Sequence, residues 1–263
     1  HMYNLKNKSA LITGITGGIG MDIALSLASA GCRILANAMD TPEKIQRVVS
    51  AIYSAGAPEV IFNGDDLTER GCAEHLTRLA NKQFGKLDIL VNNAGIQHVQ
   101  PIETFSEEHW DRIINLNLSA PFRLIKNSLL LMRQNNWGRI INIASVHGLV
   151  ASTHKSAYVA AKHGLIGLTK TVALETANQP ITCNAICPGF VQTALIQSQI
   201  EKHAAEKGVD IERAKQSFVS QKQPSMTFVS PKDIGAMVVF LCSDSCDQIT
   251  GSSFPIDGGW TAQ

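Results

Sequence analysis

Ser145, Tyr158 and Lys162 stand as Ser-x12-Tyr-x3-Lys within the string IASVHGLVASTHKSAYVAAKHG. Tyr158 and Lys162 are four residues apart, so on a helix they share one face. A lysine ammonium beside a phenol favours the phenolate, so the spacing predicts a tyrosine with a lowered pKa. Ser145 would then hold a substrate oxygen while Tyr158 exchanges a proton with it. Such a trio is equipped to interconvert an alcohol and a carbonyl. The hydride needs a cofactor, and that requirement turns attention to the N-terminal half.

There, a short apolar run ends in Thr13-Gly14-Ile15-Thr16-Gly17-Gly18-Ile19-Gly20, and an amphipathic helical pattern follows at once. Glycines let the backbone approach a pyrophosphate, and a helix N-terminus offers free N–H groups and a positive dipole end. The spacing is G-x3-G-x-G and differs from the G-x-G-x-x-G dinucleotide fingerprint. Eighteen residues past Gly20 the second predicted strand ends in Asn37-Ala38-Met39-Asp40. This stretch has no Lys or Arg for a 2′-phosphate, so NAD is expected over NADP, with Asn37 or Asp40 meeting the ribose. Asp65-Asp66-Leu67 and Asn92-Asn93-Ala94-Gly95 end the next two predicted strands on the same edge. Asp, Asn and Gly are equally the ordinary turn formers.

The elements that must position these groups are read from periodicity. Predicted strands are Ser9–Thr13, Arg33–Ala36, Val60–Phe62, Ile89–Asn92, Arg139–Ala144, Thr182–Cys187 and Ser253–Ile256. Helical patterns lie between them, with start signals at Thr41-Pro42-Glu43, Ser106-Glu107-Glu108 and Ser230-Pro231-Lys232-Asp233. The alternation predicts an α/β fold, one doubly wound parallel sheet with helices on both faces and ligands at the C-terminal strand ends. A single domain over residues 3–263 is expected; His1-Met2 reads as an expression remnant. From 189 to 228 no strand is visible and Ile196–Ser220 reads as polar helix, which suggests a lid over the site.

Lys plus Arg number 23 against 22 Asp plus Glu, a net charge of +1, which gives no reason to expect nucleic acid or an anionic membrane surface. No apolar run nears the roughly 20 residues of a membrane span. The cysteines at 32, 72, 183, 187, 242 and 246 include two C-x3-C pairs but lack zinc-site spacing, so no metal is expected and a reducing cytoplasm fits them.

In order along the chain, Thr13-Gly14-x3-Gly18-x-Gly20, Asn92-Asn93-Ala94-Gly95, Asn117, Ser145, Tyr158-x3-Lys162 and Pro188-Gly189 resemble the short-chain dehydrogenase/reductase family over essentially the whole length. The resemblance implies a seven-stranded Rossmann-type sheet, usually in a homotetramer. It implies Tyr158 as acid/base, Lys162 lowering its pKa and holding the nicotinamide ribose, Ser145 on the substrate oxygen, and Asn117 keeping a water in a proton relay. It also implies dinucleotide contacts at Thr13, Gly14, Thr16, Gly18, Ile19, Gly20, Asn37, Asp66, Leu67, Asn93, Ala94, Gly95, Tyr158, Lys162, Pro188, Gly189, Val191 and Thr193.

A narrower resemblance, to the D-3-hydroxybutyrate dehydrogenases of bacteria, rests on AGIQH, IASVHGLVAS, KSAYVAAKHG, ICPGFV and DGGWTA. It implies NAD-linked interconversion of D-3-hydroxybutyrate and acetoacetate. Gln97, His147, Lys155 and Gln199 would bind the carboxylate, and Trp260 would line the pocket. Phe190 stands where that group often has tryptophan. Physical chemistry points the same way, because a small acid leaving water for a buried site must find donors. Gln97, His147 and Lys155 are all close in sequence to residues already placed at the site, although Lys155 also fits a plain surface lysine and His147 a capping residue. Two other readings stand beside this one. One is a reductase of another 3-oxo acid or a 3-oxoacyl thioester; the other is a catalytically silent dinucleotide-binding regulator on the same fold.

Overall fold

The computed structural model describes residues 3–263, so His1 and Met2 lie outside the described residues. In chain order the elements are β1 (Ser9–Thr13), α1 (Gly18–Ser29), β2 (Arg33–Asn37), α2 (Pro42–Ala55), β3 (Val60–Asn63), α3 (Cys72–Phe84), β4 (Ile89–Asn92) and α4 (Glu107–Ile114). A π-helical turn over Asn115–Ser119 joins α4 to α5 (Ala120–Gln134). Then come β5 (Gly138–Ile143), α6 (Ser156–Thr176), β6 (Ile181–Pro188), α7 (Ala194–Lys207), α8 (Ile211–Ser220), α9 (Pro231–Cys242) and β7 (Ser253–Ile256).

The strands form one parallel sheet in the order β3-β2-β1-β4-β5-β6-β7. Their sequences are nearly continuous in apolar residues because both faces are covered. Along β1, Leu11 points with Leu35, Leu90 and Ile140 towards Leu76 of α3 and Leu124 of α5. Its neighbours Ala10 and Ile12 point the other way, towards Ile23 and Leu27 of α1 and Ile234 and Val238 of α9. That period of two sorts one strand between two cores.

The predicted start signals open helices. Thr41 Oγ1 accepts from Lys44 N, Ser106 Oγ from His109 N, and Ser230 Oγ from Lys232 N. Strands β2 and β3 run one residue further than their apolar runs, because Asn37 pairs in register with Thr13 and with Asn63. Strand β5 sits one residue earlier than predicted, and β6 is longer at both ends.

The expected polar helix over Ile196–Ser220 is in fact two helices. Gly208 takes a left-handed conformation at φ +63° and ends α7, and Asp210 caps α8 by accepting from Arg213 N at 3.0 Å. The 189–228 segment also carries backbone pairing that its sequence did not announce, an isolated parallel bridge from Val191 to Val229.

Sheet order reverses between β1 and β4. The loops leaving those two strands therefore part on opposite faces and leave a crevice at their C-terminal ends. The glycine-rich turn, the Asn92–Gly95 turn and the end of β5 all lie on that edge.

Candidate active site

Ile143 ends β5, and Ser145 then enters a 3₁₀ turn over Val146–Gly148. Ser145 Oγ accepts from His147 N at 3.1 Å, so the side chain that ends the strand also shapes this turn. Helix α6 crosses beside it and carries Tyr158 and Lys162 on one face. A Cβ at Gly148 would lie 2.6 Å from Ile166 Cδ1 and 2.9 Å from Lys162 O, and one at Gly164 would lie 2.8 Å from Leu118. Absent side chains therefore let the 3₁₀ turn and the π turn close on α6.

Lys162 is 4% exposed, and its Nζ donates to Ile143 O at 2.9 Å. The ammonium stands 5.5 Å from the Tyr158 ring centroid. Burial pushes the Lys162 pKa down to about 8. Tyr158 departs from the sequence expectation. Burial raises its phenol pKa, and the neighbouring Ser145 hydroxyl only partly opposes this. The reason is geometric: Lys162 donates to a main-chain carbonyl, and desolvation of the phenolate outweighs the hydrogen bond with Ser145.

Beyond Tyr158 lies a chain of aromatic contacts. His147 meets Tyr158 edge-on at 5.9 Å and Trp260 at 5.5 Å; Phe190 follows at 4.8 Å from Trp260 and Phe218 at 4.9 Å from Phe190. Trp260 reaches this place because Asp257 folds the last turn, accepting from Gly259 N, Thr261 N and Thr261 Oγ1. His147 is 5% exposed and bonds Ser152 Oγ at 2.8 Å. Burial above all, and then the charges of Lys155, Lys222 and His163, push its pKa down to about 4, so it is neutral at pH 7.

That shift has a consequence for stability. The unfolded chain protonates His147 near 6.5 and the folded protein only near 4. Stability is therefore fully present above pH 6.5 and is lost as pH falls through that window, by about 3 kcal/mol from this group. Urea unfolding at pH 7 and pH 4.5 should show a smaller loss in His147→Gln than in the parent. Equal losses would mean that other groups carry the acid sensitivity.

Lys155 immediately precedes α6, is partly buried and forms no ion pair among the described residues. Burial lowers its pKa, with Lys222 adding to the effect. Gln97 and Gln199 are not drawn into this cluster by any hydrogen bond. Both are exposed, and neither side chain is bonded to another described residue. Asn117 is 1% exposed, and its side chain is committed to Ile96, accepting from N and donating to O, each at 2.9 Å. Its amide thus shapes the loop that bears Gln97, and any contact with a relay water falls to its main chain in the π turn.

The dinucleotide end is a built cradle. Thr13 Oγ1 accepts from Asn93 N and Ala94 N, both at 3.0 Å, and Asn93 Nδ2 donates to Thr13 O and Gly14 O. A Cβ at Gly14 would lie 2.9 Å from Ala94 Cα, and one at Gly18 2.6 Å from Thr193 Cγ2. Thr193 Oγ1 in turn caps α7, and Gly189 N bonds Ile256 O as the chain leaves Pro188. Val191 and Ile19 pack towards the core beneath. A cavity of about 360 Å³ opens here, walled by Gly14, Thr16, Ala38, Met39, Asp66, Leu67, Ala94, Gly95 and Arg112 among others. Glycines packed this tightly against a helix N-terminus suit a pyrophosphate-bearing dinucleotide.

Two features of this cavity were not visible in the sequence. The Asn37 amide nitrogen donates to Asn63 Oδ1 and Asp65 O, so Asn37 ties β2 to β3, and Asp40 pairs with Lys44 at 2.8 Å. Asn37, Ala38 and Met39 all line the wall at that point, and Asp40 does not. In addition, Arg112 of α4 joins the wall, a cation that the Asn37–Asp40 stretch alone did not reveal. Asp66 faces it while accepting from Thr68 N and Oγ1.

All six cysteines are buried and unbridged, and Cys32, Cys72 and Cys187 have pKa values pushed up to 11 or 12, mainly by burial. Among the described residues no group of three or more His, Cys, Asp or Glu is placed to hold a metal ion, and no helix is long and apolar enough to cross a membrane.

Sequence reasoning missed Lys222, Gln223, Phe218, Asp257 and Arg112. Only Asp257 carried a local signal, as the first residue of Asp-Gly-Gly; the others come from elements whose approach no local pattern encodes.

Comparison with known proteins agrees with this geometry. The chain is 48% identical to a D-beta-hydroxybutyrate dehydrogenase of Cupriavidus necator over 98% of its length and all of the relative's. It is 45% identical to a D-beta-hydroxybutyrate dehydrogenase of Rhizobium meliloti, over 97% of this chain and 99% of the other. A crystal structure from Sinorhizobium meliloti, described as a short-chain alcohol dehydrogenase, superposes with a TM-score of 0.90 at 34% identity over the whole of both chains. The short chain dehydrogenase model itself matches residues 8–204, the stretch that holds the glycine cradle, Ser145, Tyr158 and Lys162. With that sheet, cradle and trio in place, the chain belongs to the short-chain dehydrogenase family and is an oxidoreductase.

Proposed function

We propose that the protein interconverts D-3-hydroxybutyrate and acetoacetate with NAD. The observation that carries this reading is a lysine without a counter-ion among the described residues, Lys155, at the head of the helix that bears Tyr158, near a neutral His147 and an aromatic wall. A small 3-oxo acid has one oxygen to be protonated, one anionic end and a short apolar middle, which correspond to those three features. The names of the two relatives point to the same substrate.

In this mechanism Ser145 and Tyr158 hold the reacting oxygen. Tyr158 takes the hydroxyl proton in oxidation and returns it in reduction. The dinucleotide, when bound, accepts or supplies the hydride at the neighbouring carbon. Lys162 lies between Ile143 O and Tyr158 and favours the phenolate once its ammonium is released towards the site; Asn117 holds a relay water with its main chain. His147 donates to the substrate as a neutral imidazole and adds no charge of its own. Lys155 answers the carboxylate, with Gln97 and Gln199 reaching it from the two flanking segments when residues 189–228 close. Phe190 and Trp260 pack on the short alkyl part and exclude water. NAD is assigned over NADP because the end of β2 offers Ala38, Met39 and the carboxylate of Asp40, where a 2′-phosphate would need a cation.

Steady-state rates with D- and L-3-hydroxybutyrate, their five-carbon homologues, acetoacetate and acetoacetyl-CoA, each with both dinucleotides, test the reading. The D-acid and NAD should give the highest kcat/KM. A faster thioester would replace the proposal with an oxoacyl reductase, and NADH binding without turnover would indicate a regulator. Lys155→Ala should raise KM for acetoacetate about 30-fold, the loss of about 2 kcal/mol for one charge-assisted contact. An unchanged KM would remove Lys155 from the pocket.

A further inference from the structure

Gln223 is a polar side chain with no exposure, placed just past α8. Its Oε1 accepts from Phe190 N, its Nε2 donates to Thr227 O at 2.7 Å, and its main-chain N–H bonds Val219 O at 2.9 Å. One residue thus ties the end of α8, by its main chain, to the strip leading to Val229 and the Pro188–Phe190 corner, by its side chain. Space around it is tight, since a Cβ at Gly189 would lie 2.3 Å from Gln223 Oε1.

Lys222 is held by its neighbours. Its N–H bonds Val219 O at 3.3 Å, and its carbonyl accepts from Gln263 Nε2 at 3.4 Å. Its side chain is exposed, and its bond to Gln263 together with the Gln223–Phe190 bond places its backbone at the Phe190–Trp260 side of the pocket, where its charge also disfavours protonation of Lys155 and His147. Lys222, like Lys155, has no acidic partner among the described residues. Two cations near one pocket with no counter-ion among the described residues repel, and an anionic ligand is what relieves that repulsion.

We propose that Lys222 is the second cation of the acid-binding end of this pocket and that Gln223 is the positioning residue that holds it there. The inference rests on the small-acid reading above and adds to it a residue on the 189–228 segment. Closure of that segment then brings charge to the substrate as well as apolar cover, and the bound carboxylate draws the segment down.

The test separates charge from packing. In Lys222→Gln, KM for acetoacetate should rise about five-fold at low salt, as for a partly exposed ion pair, and KM for the neutral methyl acetoacetate less than two-fold. Lys222→Arg should restore most of the loss. Gln223→Leu should raise KM for both compounds, because it frees the Phe190 wall as well as Lys222; a circular dichroism melt shows whether it remains folded. Equal effects of Lys222→Gln on acid and ester, or none on either, would overturn the proposal. Calorimetric titration of butyrate into NADH-saturated protein keeps this outcome distinct from failure of the substrate reading. Butyrate needs only the acid-binding end, so Lys222→Gln should weaken it even if acetoacetate proves not to be turned over, and unweakened butyrate binding would sink Lys222.

Discussion

In Tyr158→Phe, turnover should fall about 10³-fold, the size expected for loss of a general acid/base, while the dissociation constant for NADH changes less than about two-fold. The substitution removes one oxygen and keeps the ring, so the edge-on contact with His147 at 5.9 Å and the fit of α6 survive. What is lost is the proton exchange and the hydroxyl beside Ser145. The pH dependence of the parent sharpens the test. Oxidation releases a proton and requires the phenolate, so its rate should rise with pH. Burial raises the Tyr158 pKa and lowers that of Lys162 to about 8, so the two move apart and the rising limb follows the phenol. That limb should be absent from whatever activity remains in Tyr158→Phe. Loss of NADH binding with turnover would recast Tyr158 as a cofactor residue, and a surviving pH limb would assign the acid/base role to another group.

Gly20→Ala should have the second-largest effect, through the cradle rather than the chemistry. The added methyl would lie 2.1 Å from Gly14 O and 2.6 Å from Asn93 Nδ2, inside the bonds that hold the β1 and β4 loops together. Neither is the free end of a flexible chain, so backbone must move, at about 2–3 kcal/mol of stability. Nucleotide affinity should fall about 100-fold, since the first turn of α1 shifts away from the pyrophosphate position. Gly17→Ala is the matched control: its Cβ meets nothing within 4 Å and its φ is −124°. It should alter stability by less than about 1 kcal/mol. Thermal melts and NADH titrations of the two variants side by side decide the matter, and similar losses in both would mean that steric closeness is not what selects glycine at position 20.

Both predictions draw on features legible in the sequence, yet each needed the structure for its size. That Gly20 belongs to a tight turn follows from its spacing; that its neighbours are a carbonyl and an amide from another strand does not. The strands were legible because burial on both faces writes itself as apolar runs. The helix starts at Thr41, Ser106 and Ser230 were legible because capping is local chemistry. The break at Gly208 was overlooked inside a polar stretch, although the glycine and the capping Asp210 are local signals too. That Asn37 also ties β2 to β3 was not legible, because strand register, which pairs it with Asn63, is a property of two segments and not of one.

The order of motifs by itself determined that this chain carries a dinucleotide cradle followed by a Ser-Tyr-Lys trio, since turn geometry and helical spacing act within a few residues. Tertiary structure alone decided the environment of those groups. It sent the Lys162 proton to Ile143 O, buried Tyr158 so that its pKa rises, brought Arg112 to the nucleotide cavity and set the Lys222–Gln223 segment against Phe190. Ionisation depends on desolvation and on charges up to several ångströms away, and the segments that supply both are separated by tens of residues along the chain.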